Sequence, residues 1–65
     1  MKFYLNGELT PLTNSLTIST LCKNLEINLD GTVILLNDDI LQKNQYYFPI
    51  KENDKVEILR FVSGG

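Results

Sequence analysis

The chain predicts an α+β domain, a mixed sheet of about four to five strands with one main helix across one face. Three observations carry that prediction. Asn6-Gly7 lies between two short apolar runs, the strongest short signal for a hairpin. Ile18, Leu21, Cys22 and Leu25 recur at the i, i+3, i+4, i+7 spacing of one helical face. Residues 56–62 alternate as a closing strand. With 43% hydrophobic residues in 65, the chain has enough apolar surface for one small core and not for two.

Residues 2–5 and 8–12 are the opening strands, and a type I′ turn at Asn6-Gly7 requires positive φ at both central positions. Pro11 has no amide donor and is expected to end regular pairing. The segment 15–29 is the one with helical periodicity. Thr17 is placed to cap it, its hydroxyl accepting from an amide of the first turn, although Thr20 stands where an acidic residue would complete a capping box. Thr17, Ile18 and Thr20 are β-branched, so packing rather than propensity must hold this helix. Its end is expected near Glu26, with Asn28 a candidate for a left-handed residue. Residues 32–36 form a continuous β run, expected to be buried on both faces or central in the sheet. Asn37-Asp38 reads as a second tight turn, since residues 36–40 echo residues 5–9. Residues 43–48 read as an irregular segment pinned by burial of Tyr46, Tyr47 and Phe48, and Glu52-Asn53-Asp54 as the turn before the last strand.

Composition excludes several functions. Six basic and eight acidic residues give a net charge of −2, which does not suit the neutralisation of phosphates, so no nucleic-acid partner is expected. There is no histidine, so acid–base chemistry lacks its commonest agent and a Cys/His zinc site is excluded. The lone Cys22 forms no internal disulfide and lies on the apolar helix face, where it reads as a small core residue rather than a reactive thiol. Asp38-Asp39 reads as a solvated turn, not a metal site. No apolar run approaches the length of a membrane span, and residues 1–20 lack the pattern of a secretory signal. The absence of alanine, the seven asparagines and the single arginine read as base composition of the genome.

The closing strand runs into Ser63-Gly64-Gly65. Two terminal glycines alone are compatible with a frayed end. Four features together say more: the opening strand with Asn6-Gly7, the Thr17-initiated helix with Leu21, Cys22 and Leu25, residues 33–40 around Asn37, and the closing stretch 53–65. In these the whole chain resembles the thiamine-biosynthesis sulfur carriers, a family of ubiquitin-like β-grasp domains with a C-terminal Gly-Gly. It departs from the family where Asn53 replaces the usual glycine before Asp54 and where Asp38 follows Asn37. Asparagine and aspartate tolerate positive φ, so both turns should survive.

The resemblance implies a β-grasp domain over residues 1–62 with a flexible tail, 63–65. It implies no catalytic residue and no bound cofactor. A partner adenylating enzyme, related to those that activate ubiquitin, would use ATP to adenylate the Gly65 carboxylate. Sulfur from a cysteine desulfurase or persulfide protein would convert it to a thiocarboxylate, which a thiazole synthase would consume. Gly64 and Ser63 would be needed for activation, and Gly64 and Gly65, having no Cβ, would thread a narrow channel. The free carrier would be a monomer in a bacterial cytosol or plastid stroma. A molybdopterin-type sulfur carrier, a ubiquitin-like protein modifier joined to lysine, and an interaction module with an inert tail fit the same residues. Candidate docking residues are Leu59, Phe61, Arg60 and Val62. Period two turns Leu59 and Phe61 away from the helix-covered face of Val56 and Ile58. Two readings of that face stay open: an exposed docking surface, or a second small core closed by Tyr46, Tyr47 and Phe48. Arg60 either meets an acidic partner or solvates the strand.

Overall fold

The computed structural model describes residues 1–13 and 15–60. Strands β1 (Lys2–Leu5) and β2 (Glu8–Pro11) form the opening hairpin, with Leu5 opposite Glu8 and Tyr4 opposite Leu9. Asn6 and Gly7 both have positive φ, 49° and 84°, as a type I′ turn demands. Pro11 is the last residue of β2, opposite Lys2. Helix α1 (Ile18–Asn24) follows, then β3 (Thr32–Leu36), β4 (Asp39–Ile40), a single 3₁₀ turn at Lys43–Gln45, and β5 (Lys55–Arg60). The sheet order is β2-β1-β5-β3-β4. The strand made last therefore occupies the middle, parallel to β1 and antiparallel to β3. This is the expected mixed sheet with one helix on one face.

Thr17 caps α1 as expected, its Oγ1 accepting from Thr20 N at 3.1 Å, and its hydroxyl donates to the Thr20 hydroxyl. The helix is shorter than the periodicity implied. It closes in a Schellman motif: Glu26 N–H donates to Lys23 O at 3.1 Å and Ile27 N–H to Cys22 O at 2.9 Å. That motif requires a left-handed residue just beyond the cap, and Glu26 fills the position with φ 57°. Asn28 is thus not the left-handed residue. Its side chain accepts from Asp30 N at 3.0 Å and shapes the next turn. Leu25 becomes the cap residue and stands exposed instead of completing the apolar face.

Ile18, Leu21 and Cys22 pack on Phe3, Ile34, Val56 and Ile58, with Leu16, Tyr46 and Ile50 closing the ends of the core. Burial raises the Cys22 thiol above its ordinary value of 9.0, which keeps it protonated and apolar in character. In β3 only Ile34 is fully buried, so that strand is not buried on both faces; it is interior because β5 and β4 flank it. The segment after the 3₁₀ turn is tied to the helix start by Ser19 N–H to Tyr46 O at 3.0 Å and Ile50 N–H to Leu16 O at 2.7 Å. That tether buries Tyr46 and leaves Tyr47 and Phe48 74% and 62% exposed. Of the three aromatic residues expected to pin the segment, Tyr46 alone does so.

Candidate functional site

The end of β5 and the sheet face turned away from α1 are where the candidate residues fall. Strand alternation decides the geometry. Val56 and Ile58 point into the core, and Leu59 is 41% exposed on the other side, as period two requires. Arg60 is exposed at the end of the strand, opposite Thr32. With Tyr46 drawn into the helix-side core and Tyr47 and Phe48 in solvent, no second core covers Leu59 among the described residues. Phe61, Val62, Ser63, Gly64 and Gly65 lie outside the described residues.

The register assembles a wider apolar surface around Leu59 than the closing strand alone implied. Leu59 is opposite Val33, Leu35 is opposite Ile40 and Glu57, and Tyr4 is opposite Leu9. Alternation places all of these on the open face, with Tyr4, Leu9 and Ile40 exposed and Val33 and Leu35 half-buried. Tyr4 and Leu9 were accessible to sequence reasoning. A two-residue turn at Asn6-Gly7 pairs Leu5 with Glu8, so Tyr4 must meet Leu9.

Two asparagine side chains fix β5 in its place. Asn6 N–H donates to Val56 O at 2.8 Å, and Asn6 Oδ1 accepts from Ile58 N at 2.8 Å. On the other flank Asn37 N–H donates to Lys55 O at 2.8 Å, and Asn37 Oδ1 accepts from Lys55 N at 2.9 Å. Asn37 Nδ2 also donates to Asp54 Oδ1 at 3.1 Å, while Asp54 Oδ2 accepts from Lys51 N at 2.8 Å. Asn53, the departure noted before Asp54, adopts φ 67° and the turn forms. Asp38 adopts φ 72° and its carboxylate faces Lys55 Nζ at 3.7 Å, both side chains largely in solvent. Among the described residues there is no group of three or more His, Cys, Asp or Glu that could hold a metal ion. No helix among them is long and apolar enough to cross a membrane.

The ThiS family model matches residues 3–65, nearly the whole chain and the closing Ser63-Gly64-Gly65 with it. The chain belongs to the ThiS family. Its fold is the ubiquitin-like β-grasp of that family, and membership makes it a small sulfur carrier that works with adenylating and sulfur-transfer enzymes. Among solved structures it is similar to the crystal structure of a thiamine biosynthesis protein, ThiS, from Geobacter metallireducens. The TM-score is 0.78 at 25% identity, with 100% of both chains covered. It is also similar to the NMR solution structure of a thiamine biosynthesis protein from the same organism, with a TM-score of 0.74 at 25% identity over 100% of this chain and 88% of that one. No curated protein matches it significantly.

Proposed function

We propose that this ThiS-family chain carries sulfur as a thiocarboxylate on Gly65 and delivers it to thiazole formation in thiamine biosynthesis. The observation that carries the reading is the family match across residues 3–65, which takes in the Gly-Gly end. The thiamine branch is preferred to the molybdopterin branch because the two solved structures compared above are named as thiamine biosynthesis proteins.

The chemistry follows from what a carboxylate lacks. With a pKa near 3.5 it is ionised at neutral pH and is a poor electrophile. A partner adenylating enzyme joins it to the α-phosphorus of ATP and releases pyrophosphate. The terminal sulfur of a persulfide then displaces AMP from the acyl carbon, and a second thiol cleaves the sulfur–sulfur bond to leave the thiocarboxylate. The carrier supplies no catalytic group in these steps. Its part is to present Gly65 on a tail thin enough for a narrow channel, and to dock through the open face around Leu59, with Arg60 at the strand end, Phe61 and Val62 as further candidate contacts.

Intact and C-terminal-fragment mass spectrometry tests this after incubation with an adenylating partner, ATP and a persulfide donor. The expected result is a sulfur-for-oxygen exchange confined to Gly65 and lost when Gly65 is deleted. An unmodified terminus beside a demonstrably active partner overturns the reading. A tail-dependent ladder of heavier conjugates in cell extract would assign the chain to the protein modifiers instead.

A further inference from the structure

Asn6-Gly7 is the one Asn-Gly pair in the sequence. In this dipeptide the asparagine carboxamide is open to attack by the following backbone nitrogen, because glycine has no side chain to hinder the approach. The fold sets a restraint on that chemistry. Asn6 Oδ1 accepts from Ile58 N at 2.8 Å in a part-buried setting, and Asn6 N–H donates to Val56 O. Both the carboxamide and the backbone of Asn6 are thereby held on β5, with the residue fixed at φ 49°. Closing a ring onto Gly7 N requires the carboxamide to leave Ile58.

We propose that Asn6 is a deamidation site guarded by β5, closed while the Asn6–Ile58 hydrogen bond holds and opened when β5 leaves the ladder. In the reaction Gly7 N gives its proton to hydroxide and bonds to Asn6 Cγ. The Cγ–Nδ2 bond breaks, and the nitrogen takes a proton from water and departs as ammonia. Water then opens the five-membered succinimide at either carbonyl, giving aspartate or isoaspartate. No oxidant or reductant is involved. The products differ in consequence. Aspartate keeps an oxygen to accept from Ile58 N and adds one negative charge. Isoaspartate routes the main chain through the side chain, lengthening a two-residue turn and disturbing the register that sets Leu5 opposite Glu8.

Asn37 serves as an internal reference. Its carboxamide is held at both ends, by Lys55 N and Asp54 Oδ1, and the residue after it, Asp38, has a side chain to shield its nitrogen.

The test follows Asn6 and Asn37 in the full chain by peptide mass spectrometry, with fragmentation that separates aspartate from isoaspartate, in mildly alkaline buffer and in urea at the same pH. Asn6 is expected to convert readily in urea and on the order of a hundredfold more slowly in buffer, a factor within the range of local opening equilibria in small domains. Asn37 converts slowly in both. Val56→Ala loosens β5 and raises the Asn6 rate in buffer without changing it in urea, while Gly7→Ala lowers the rate in urea. Equal Asn6 rates in buffer and urea overturn the proposal, as does a Val56→Ala rate in buffer no higher than the parent's.

Discussion

The turns at Asn6-Gly7 and Asn37-Asp38 flank β5 from opposite sides and are built alike. Each has two consecutive residues at positive φ, and each directs an asparagine carboxamide oxygen to a backbone N–H of β5. Where β1 and β3 turn away, the flanks of β5 would be left with unpaired donors, and the two side chains continue the ladder in their place. The difference lies in burial. Among the described residues Asn37 makes two carboxamide bonds, both in exposed surroundings, whereas the one Asn6 carboxamide bond is part-buried. Water can replace what Asn37 gives and has less access to what Asn6 gives, so the turn with fewer bonds should matter more to stability.

Asn6→Ala is the sharpest way to break that comparison. It leaves Ile58 N without its partner, at a cost of ~1–3 kcal/mol, and places alanine in the left-handed region for a further ~1–2 kcal/mol. A loss of about 3 kcal/mol in urea unfolding at an unchanged m-value is expected. Asn37→Ala removes two bonds that solvent can take over, and the same measurement should show a loss of ~1–2 kcal/mol, mainly from the positive φ. A larger loss at Asn37 than at Asn6 would mean that bond count outweighs burial here. The smallest effect is expected for Asp38→Gly. It relieves φ 72° and gives up an exposed ion pair with Lys55 worth ~0–1 kcal/mol. The net is a stabilisation of about 0.5 kcal/mol, read as a small rise in the urea midpoint.

Local chemistry explains which parts of this fold were legible in the sequence. Asn6-Gly7, the Thr17 cap and the alternation of Val56, Ile58 and Leu59 each depend on residues within one turn or one strand, and all three formed as read. The left-handed residue at the helix end was misplaced because a Schellman motif takes whatever residue follows the cap. That residue was Glu26, although Asn28 looked better suited to positive φ. Tyr47 and Phe48 were misjudged because burial in their segment is decided by a tether to Leu16 and Ser19, which no periodicity within residues 43–48 encodes. The clamp between Asn6 and Ile58 joins residues 52 positions apart, beyond the reach of any local pattern. Of the candidate site, the exposure of Leu59 followed from strand period, whereas Arg60 has the parity of Val56 and Ile58 and is exposed because β5 ends there. The wider open face followed from register, which sequence reasoning had not carried across from the first hairpin.

The sheet order has a consequence for how the domain comes into being. Within the sheet β1 pairs with β2 and β3 with β4, and β5 alone joins the two hairpins. On a ribosome the chain up to residue 54 has both hairpins and the helix but no strand to unite them. Loop closure across most of the chain must therefore precede the final pairing, which slows folding relative to a helical bundle of this size. Until then Phe3 and Ile34 lack Val56 and Ile58 as neighbours, and the nascent chain shows its apolar faces to whatever chaperone or protease is near.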